Sequence, residues 1–575
     1  TDAMHITTTP MRRRSPLLGV WAACVAAGLG AGCMGPIFRP QSPDAALTEA
    51  ELKLDPPSQT QLVGAVAHPY GMNVVKVETV ALVTGLAGTG EDPAPSPQRA
   101  ALLSEMNRRS IEAPNEVLAS PNTALVLVRA FLRPGIQPGD KFDVEVRTPS
   151  RSDTTSLRGG MLLETRMKET AVLGSAIHYG HESAIAQGPI LVDPSATSAA
   201  NDALAIQGRV LSGGVAIKGR KVGLIIDHEH RSIRMSQIVA KAVNDRFHTY
   251  IDGRRMGVAT PKTDEYIEIA LHPRYKENVG RYMRVVRAVA VRETPVKRLE
   301  RLQMLRDQLL DPVTAETAAL RLEAVGADAI AILKEGAKAE DPEVRFYAAE
   351  ALAYLDITEA VAPLARAAVD EPAFRVAALA ALGSMEDGAA SEVLFDMLKL
   401  KSAETRYGAF RALTVMAPND PRIRGERLGG RFNYHRLNVE GPAMIHVTSS
   451  HKPEIVVFGG PHEFRLPVVL DAGQRILVNG LRGGEIKVSR FGPNEPTQER
   501  IVSTKVDDVI RAVVDLGGDY PDVIQMLQQA KNAGALTSRF RVNALPEPGR
   551  EFDRGRDSAA DDVAADETDR LATVQ

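Results

Sequence analysis

The sequence is almost free of cysteine. Of its 575 residues only Cys24 and Cys33 are cysteines, and both lie near the beginning. Beyond residue 33, therefore, no disulfide, thiolate metal site or cysteine nucleophile can form. Aromatic residues make up only 5% of the chain, so no surface that stacks sugars or bases is predicted. The net charge of −3 provides no basic field of the kind that nucleic acids attract, and we expect no nucleic-acid partner.

The first uncharged run is too short to cross a membrane. It covers residues 17–32, behind the basic residues Arg12 to Arg14, whereas a bilayer span needs ~20 residues. A basic start, a short apolar core and small residues at its end predict an export signal, which places the mature chain outside the cytoplasm. The end of this segment, LGAGC at 29–33, resembles the lipobox of bacterial lipoproteins and implies that Cys33 is lipidated. The alternative is an ordinary cleaved signal in which Cys33 has no role.

Changes in composition divide the chain into segments. We predict an export signal of lipoprotein type at 1–33, a flexible tether at 34–60, an α+β region at 61–297, helical repeats at 298–417, a second α+β region at 430–545, and a disordered acidic tail at 546–575. The fold class is therefore α+β and multidomain, with an inserted all-α repeat segment. In the first α+β region alternating patterns predict strands at 123–131, 141–147, 221–226 and 281–291, and helices at 98–109 and 233–247.

The second α+β region has the same mixed character. Short apolar stretches predict strands at 443–448, 454–458, 465–469, 475–478 and 538–544. Helical spacing of apolar residues predicts two helices before the last of these strands, at 504–516 and 520–533.

A repeat of 30 or 31 residues marks the helical segment. Arg345, Arg375 and Arg406 recur at this interval, and the same Ala-x-x-Ala-Leu pattern follows each of them. These units resemble short HEAT-like repeats, with a degenerate first copy at 311–335. Repeats contact mainly their neighbours, so we expect a quasi-independent module whose replacement by a linker, over 312–418, leaves the rest folded. The three arginines either pair with an acid of their own repeat or form a ladder that faces an acidic partner.

Several segments resemble the flagellar P-ring protein family. VTGLAGTG at 83–90, SLRGGMLL at 156–163 and the closing order of helix, LG, helix and AGAL over 506–536 are similar to family motifs. The turn at 208–215 is also similar, although Leu-Ser stands where the family has Pro-Asn. The resemblance marks these positions as family-motif residues: Gly85, Gly88, Gly90, Leu157, Arg158, Gly159, Gly160, Pro521, Gly534 and Leu536.

The resemblance implies a structural protein and not an enzyme. It implies a homo-oligomeric P ring in the periplasm that surrounds the rotating rod and is required for motility. The implied partners are other copies of the chain, rod and L-ring proteins, and the peptidoglycan or outer membrane nearby. No cofactor, metal or small-molecule substrate is expected. A lipid-anchored envelope scaffold that uses the P-ring fold outside the flagellum is the alternative, and an envelope enzyme is a third hypothesis. Helical repeats and a lipobox both depart from the family.

Two sequence patterns suggest a phosphate-binding loop and a metal site. Gly85, Gly88 and Gly90 look like part of a phosphate loop, but no Gly-Lys-Ser/Thr follows them, so a turn with positive φ is the better interpretation. The run DHEH at 227–230 offers metal ligands, and His228 and His230 would share one face of a strand. Because the sequence indicates no third ligand, we interpret the run as solvated surface.

Overall fold

The computed structural model describes residues 60–173, 176–193, 202–492 and 495–554. The predicted export signal, nearly all of the tether, and Cys33 lie outside these residues. The strands are β1 (Ala67–Tyr70), β2 (Val75–Thr84), β3 (Ala124–Leu132), β4 (Lys141–Arg147), β5 (Met161–Leu173), β6 (Ala176–Pro189), β7 (Leu191–Val192), β8 (Gln207–Ala216), β9 (Val222–Ile226), β10 (His248–Ile251), β11 (Arg254–Gly257), β12 (Ala259–Pro261), β13 (Tyr266–Ile269), β14 (Glu426–Leu428), β15 (Phe432–Leu437), β16 (Met444–Val447), β17 (Glu454–Phe458), β18 (Val469–Ala472), β19 (Ile476–Gly480), β20 (Ile486–Gly492), β21 (Glu495–Val502) and β22 (Arg539–Val542).

Along the chain, most of the helices lie between the two groups of strands. They are α1 (Pro97–Arg108), α2 (Pro114–Leu118), α3 (Asp202–Ala205), α4 (Ile233–Arg246), α5 (Val279–Arg287), α6 (Pro295–Leu309), α7 (Ala315–Val325), α8 (Ile330–Gly336), α9 (Pro342–Tyr354), α10 (Val361–Asp370), α11 (Arg375–Ser384), α12 (Gly388–Met397), α13 (Ala403–Met416), α14 (Val506–Asp515) and α15 (Tyr520–Asn532). The predicted α+β class is confirmed. Among the described residues, no helix is both long enough and apolar enough to span a membrane.

A six-stranded antiparallel barrel forms the first body. Its strands follow the order β4-β3-β2-β5-β6-β8, and pairing of β4 with β8 closes the ring, while β7 adds to β8. Alternate residues of these strands point inward and fill the barrel, as Val77, Val126 and Val144 show by their complete burial. Helices α1 and α2 cover part of the outside of β2 and β3.

A small four-stranded sheet stands beside the barrel, in the order β1-β9-β13-β12. Helices α4 and α5 contribute to the core on which it packs. The predicted strand at 281–291 is wrong, because this stretch contains α5. The Asn278 side chain accepts a hydrogen bond from the Arg281 amide (3.0 Å) and starts the helix. Tyr282, Val285 and Val286 are all fully buried at helical spacing.

Helices α6 to α13 form a two-row stack. Helices α7, α9, α11 and α13 are neighbours in one row, and α6, α8, α10 and α12 pair with them to make helical hairpins. The predicted repeat positions are equivalent in the structure, since Leu352, Leu382 and Leu413 are all fully buried. The Asp341 side chain caps α9 by accepting hydrogen bonds from the amides of Glu343 and Val344, as its Asp-Pro start predicts.

The helical stack has no separate core. One hydrophobic cluster runs from Leu224 of the small sheet through the whole stack to Met444 and Phe458 of the C-terminal body. This shared core argues against a quasi-independent module. Nearest-neighbour contacts hold along the stack, but its two ends are buried against the bodies that flank it.

The C-terminal body contains two sheets and two helices. The five-stranded sheet has the order β14-β15-β17-β16-β22, with parallel pairs β15–β17 and β16–β22. The four-stranded sheet β18-β19-β20-β21 is antiparallel, and α14 and α15 share a buried core with both sheets. The strand predicted at 465–469 is displaced to β18, which begins at Val469, two residues beyond Pro467, which has no amide to donate.

Residues 546–554 lie against the helical stack. Phe552 packs on Phe374, and Arg550 and Arg554 bind glutamates at helix starts. The prediction that the chain is disordered from residue 546 is wrong for this stretch. Residues 555–575 lie outside the described residues.

Candidate functional site

The two glycine-rich motifs of the first body meet at one end of the barrel. The loop 85–90 follows β2, and the loop 153–160 leads into β5. The Thr89 hydroxyl donates to the carbonyl oxygen of Ser156 (2.7 Å), and the Thr155 amide donates to the carbonyl oxygen of Thr89 (2.9 Å). These bonds hold the two motif loops side by side.

The glycines of the first loop shape a turn. Gly85 and Gly88 have φ values of 80° and 77°, as the turn interpretation predicts. Gly90 serves a different purpose, because a Cβ there would overlap the carbonyl oxygen of Thr123. Its own amide donates to the carbonyl oxygen of Pro121 (2.8 Å), so this loop is held tightly to the chain ahead of β3.

The second motif plugs the barrel end. Leu157 is fully buried, and its amide donates to the carbonyl oxygen of Ala205 (2.9 Å). A Cβ at Gly160 would lie 2.6 Å from the Val83 side chain, so only glycine fits there. Arg158 is half-buried, and this burial lowers the pKa of its guanidinium. Gly159, with φ of 74°, turns the backbone toward the C-terminal body.

The C-terminal motif starts and ends α15. Pro521 is the second residue of this helix, and Asp522 accepts a hydrogen bond from the Asp519 amide (2.8 Å) in a capping box. Burial raises the pKa of the Asp522 carboxyl to about 6. Gly534, with φ of 64°, follows the helix end, and Leu536 then bridges to Phe464.

Motifs that lie more than 300 residues apart in sequence come together here. The Gln474 side chain donates to the carbonyl oxygen of Arg158 (3.2 Å). A cleft of about 210 Å³ lies between the bodies and is lined by residues of both, including Gly85, Gly159, Gln474, Gly517 and Asp522. A smaller pocket next to it includes Arg158 and Pro521. We call this contact the motif junction; Gly534 and Leu536, at the far end of α15, do not line either cleft.

A buried carboxylate makes a second tie between the barrel and the C-terminal body. Asp143 of β4 accepts from the amides of Ser212 (2.9 Å) and His451 (2.6 Å). The Ser212 hydroxyl also donates to the carbonyl oxygen of His451 (2.6 Å). Ser212, which stands in the turn where the family has Pro-Asn, has φ of 51°. Sequence reasoning missed Asp143, whose only signal was an acid within a strand, next to the inward-pointing Val144.

Buried polar groups join the stack to the first body. The Arg281 guanidinium of α5 binds Glu323 of α7 (2.6 Å) and Glu350 of α9 (2.6 Å), and the Tyr275 hydroxyl donates to Glu323 (2.5 Å). Burial by itself would lower the pKa of Arg281, but the two carboxylates raise it well above its ordinary value. The guanidinium also lies over the Tyr354 ring, 4.6 Å from its centroid.

A matching network joins the stack to the C-terminal body. The Tyr407 hydroxyl of α13 donates to Glu454 of β17 (2.6 Å), and the Tyr407 ring stacks on His446 of β16 with centroids 3.6 Å apart. Arg406 donates to the carbonyl oxygen of Pro442 (2.7 Å). Both ends of the stack are thus fixed by directional contacts as well as by apolar packing.

The three repeat arginines hold helix ends. Arg345 donates to the carbonyl oxygens of Ala339 and Glu340, Arg375 to those of Ala368 and Val369, and Arg406 to that of Leu398. Each set lies at or just beyond the end of the preceding helix, where carbonyl groups lack partners. Arg375 and Arg406 are only 3% and 1% exposed. A ladder that faces a partner is therefore wrong for these two, and the acid that Arg375 contacts, Glu404, belongs to the following repeat.

The DHEH run does not form the strand face that the sequence suggested. His228 to His230 form a single 3-10 turn after β9, and the Asp227 carboxylate accepts a hydrogen bond from Nδ1 of His68 (2.8 Å). Within the described ranges, no group of three or more His, Cys, Asp or Glu side chains is arranged to hold a metal ion.

Comparison with known proteins points to one family. The sequence model of the flagellar P-ring protein family matches residues 65–300. A flagellar P-ring protein of Nitrosospira multiformis is 31% identical over 221 residues, which is 36% of this chain and 56% of that protein. The one from Oleidesulfovibrio alaskensis is 26% identical over 239 residues, 40% of this chain and 60% of its own length.

Other P-ring proteins match over shorter stretches. The one from Shewanella baltica is 30% identical over 175 residues, 29% of this chain and 45% of its own length. The chain thus spans about half the length of the curated relatives it matches. The matched region contains the barrel, the small sheet and both glycine-rich motifs. Over this region the chain is similar to the flagellar P-ring protein family.

Proposed function

We propose that the chain is a structural subunit of the flagellar basal body, which assembles with copies of itself into the periplasmic P ring around the rod. The observation that carries this proposal is the family match over residues 65–300. The motif junction supports it, since Arg158 of the second loop contacts Gln474 of the C-terminal body. The cleft beside them is lined by Gly517 and Asp522 of the segment that resembles the end of P-ring proteins. A closed ring requires two different complementary faces on each subunit, and a rigid junction keeps those faces at a fixed angle.

The helical stack is the part of this chain that departs from the family. We propose that it consists of HEAT-like repeats inserted between two P-ring-like parts, and that it acts as an internal brace. The buried networks at Arg281 and at Tyr407 support this role, because they fix the stack to both neighbours. A brace of this kind has no need of an active site, and the role proposed for the chain is wholly structural.

The proposed partners are rod and L-ring proteins, with the peptidoglycan or the outer membrane nearby. We also propose that Cys33 is lipidated and ties the ring to a membrane; it lies outside the described residues. Several acyl chains on one cysteine bind firmly, at ~0.8 kcal/mol per buried CH₂. Replacing Cys33 with serine should release the chain from the membrane fraction. Mass spectrometry that finds a free amino terminus beyond residue 33 would refute lipidation and leave the ring proposal intact.

Electron microscopy of basal bodies tests the ring itself. Cells that lack the chain should swim poorly, and their purified basal bodies should lack the P ring. Expression of the unaltered chain should restore swimming and the P ring. The Gly90→Ala variant should not, because its Cβ overlaps the Thr123 carbonyl group. Gly483→Ala is the matched control, since nothing lies within 4 Å of a Cβ there. Normal rings and normal swimming without the chain would exclude the proposed function.

A further inference from the structure

A short segment near the end of the described chain crosses the helical stack. Residues 545–554 leave the C-terminal sheet after β22 and run over the starts of α13, α11 and α9. Leu545 is buried, and Phe552 is half-buried against the main core. Pro546, Pro548 and Gly549 give the first part of this segment the composition of a linker. We call residues 545–554 the strap.

The strap makes three strong contacts with the stack. Arg550 binds both carboxylate oxygens of Glu404 (3.0 and 3.0 Å). Arg554 likewise binds both oxygens of Glu343 (2.5 and 3.0 Å). Between them Phe552 stacks on Phe374, with ring centroids 4.9 Å apart and planes 20° apart. Paired N–H···O bonds of this kind select the planar guanidinium group and are stronger than neutral hydrogen bonds.

The contacts follow the alternation of an extended peptide. In an extended chain every second side chain points to the same face. Arg550, Phe552 and Arg554 all contact the stack, whereas Glu551 and Asp553 between them are exposed. The strap is therefore read as Arg-x-Phe-x-Arg.

The stack presents the complementary pattern on three successive repeats. Glu343 and Glu404 each lie two residues before the arginine that opens their repeat, in the first turns of α9 and α13. The middle repeat has Ala373 at this position, followed by Phe374. The surface thus alternates acid, aromatic, acid, which matches the order of the strap. We call Glu343, Phe374 and Glu404, together with their surroundings, the helix-start groove.

The groove is held in place from beneath. Phe374 stacks on Phe346, with centroids 4.3 Å apart and planes 6° apart. Glu404 also binds Arg375, which is 3% exposed (3.3 Å). With the strap in place, Glu343 is only 5% exposed. A site whose groups are fixed before the ligand arrives loses less freedom on binding, which is the property of a recognition site.

We infer that the helix-start groove is a binding site for extended Arg-x-aromatic-x-Arg segments. Within one chain the strap occupies this groove, and when chains exchange, the strap of a second copy occupies it. Exchange between copies rests on the proposed ring, where subunits are neighbours, whereas recognition of the segment does not. A linker that ends in a bound segment is suited to such exchange, because the same contacts form within or between chains.

Peptide binding to the full chain tests the recognition step. The triple variant Arg550→Glu, Phe552→Ala, Arg554→Glu frees the groove, and circular dichroism during heating checks that it is folded. A labelled peptide of sequence 545–554 should bind this variant in a saturable way, and at least tenfold more weakly to the unmodified chain, whose groove is filled. Glu404→Gln in the triple variant should lower the affinity at least tenfold. A peptide with Glu551 changed to serine is the matched control and should bind as the original does.

A second measurement needs no substitution. The effective concentration of a tethered segment is on the order of millimolar, so several millimolar free peptide should displace the strap of the unmodified chain. Hydrogen exchange at residues 545–554 should then accelerate, while the amides of α11 stay protected. Absence of binding to a folded triple variant, or unchanged exchange of the strap under excess peptide, would overturn the inference and leave the strap as fixed packing. Neither result bears on ring formation.

Complementary variants test exchange. The strap variant above has a free groove, and a full-length variant with Glu343→Arg and Glu404→Arg has a free strap. Sedimentation should show association in an equimolar mixture beyond that of either protein alone. If the mixture behaves as the sum of its parts while the peptide still binds, exchange between copies is excluded and recognition within one chain stands.

Discussion

At the scale of single residues, Asp143 shows how one buried carboxylate can join two bodies. It accepts two backbone hydrogen bonds, yet burial still raises the pKa of the carboxyl to about 6. The folded chain therefore binds this proton more tightly than the unfolded chain, in which the pKa is about 3.9. It follows that the contribution of Asp143 to stability decreases as pH rises from about 4 to about 6.

The variant Asp143→Asn isolates this effect. The free energy of unfolding of the original chain minus that of the variant should fall by up to about 3 kcal/mol between pH 4 and pH 6, and stay level above. Urea unfolding at a series of pH values measures this difference in free energy. The contributions of the other carboxylates are the same in both chains and cancel. A difference independent of pH would show that Asp143 is not protonated in the folded chain.

His446 should give a pH dependence of the opposite sign. Its ring is fully buried, and its Nε2 accepts from the Ala544 amide (2.9 Å). Burial, helped by Arg411, lowers the pKa of His446 to about 3. The unfolded chain therefore takes up a proton near its ordinary pKa of about 6.5 while the folded chain does not, so stability is lost as pH falls below 6.5. The original chain should lose stability relative to His446→Gln between pH 6.5 and pH 4, in the same urea experiments. Parallel curves for the two chains would rule this out.

At the scale of elements, the buried network at Arg281 fixes α5 to α7 and α9. Arg281→Met removes the guanidinium that neutralises the buried carboxylates of Glu323 and Glu350, and loss of one member of a buried ion pair typically costs about 3–5 kcal/mol. Arg306→Ala is the control, since its pair with Glu335 is exposed and should be worth about 0–1 kcal/mol. Denaturant unfolding of both variants measures the two losses. Equal losses would mean that the Arg281 network is no more important than a surface pair.

Local pattern predicted many elements and missed the connections between them. Strand β4 has the predicted bounds. The helix predicted at 504–516 begins two residues before α14 and ends one residue after it, and the helix predicted at 520–533 ends one residue after α15. The alternating pattern over 281–291 predicts a strand, whereas the structure has helix α5, in which Arg281 and Arg287 are both buried. A charged side chain that pairs inside the core hides the helical period on which such predictions rest.

The candidate site shows the same limit. The sequence identifies the motif residues, but it does not predict that Arg158 contacts Gln474, more than 300 residues later. Closure of the barrel by β4 and β8 was also not predicted, since periodicity gives the faces of a strand and not its partners. The polar, acidic composition predicts disorder from residue 546, whereas Arg550 and Arg554 are paired with acids of the helical stack.

At the scale of the whole molecule, the shared core decides what can be removed. The cluster that contains Leu224, Leu352 and Phe458 links the small sheet, the stack and the C-terminal body. Replacing residues 312–418 with a flexible linker would expose the apolar faces of the small sheet and of the C-terminal body that pack on the stack. It would also remove the partners of Arg281 and Glu454, Glu323 and Tyr407. Loss of buried apolar surface costs roughly 25 cal/mol per Å², so even a few hundred Å² approach the whole stability of a domain.

We therefore expect the deleted chain not to fold, in contrast to the expectation from the repeat pattern alone. It should bind a hydrophobic dye and melt without a cooperative transition, as followed by circular dichroism. The control deletion removes the hairpin tip 250–255, whose described side chains are exposed and which pairs only β10 with β11. That chain should melt within a few degrees of the original, because its core is intact. A cooperative melt of the chain without 312–418 would show that the stack is an added module after all, and the brace would then lose its support.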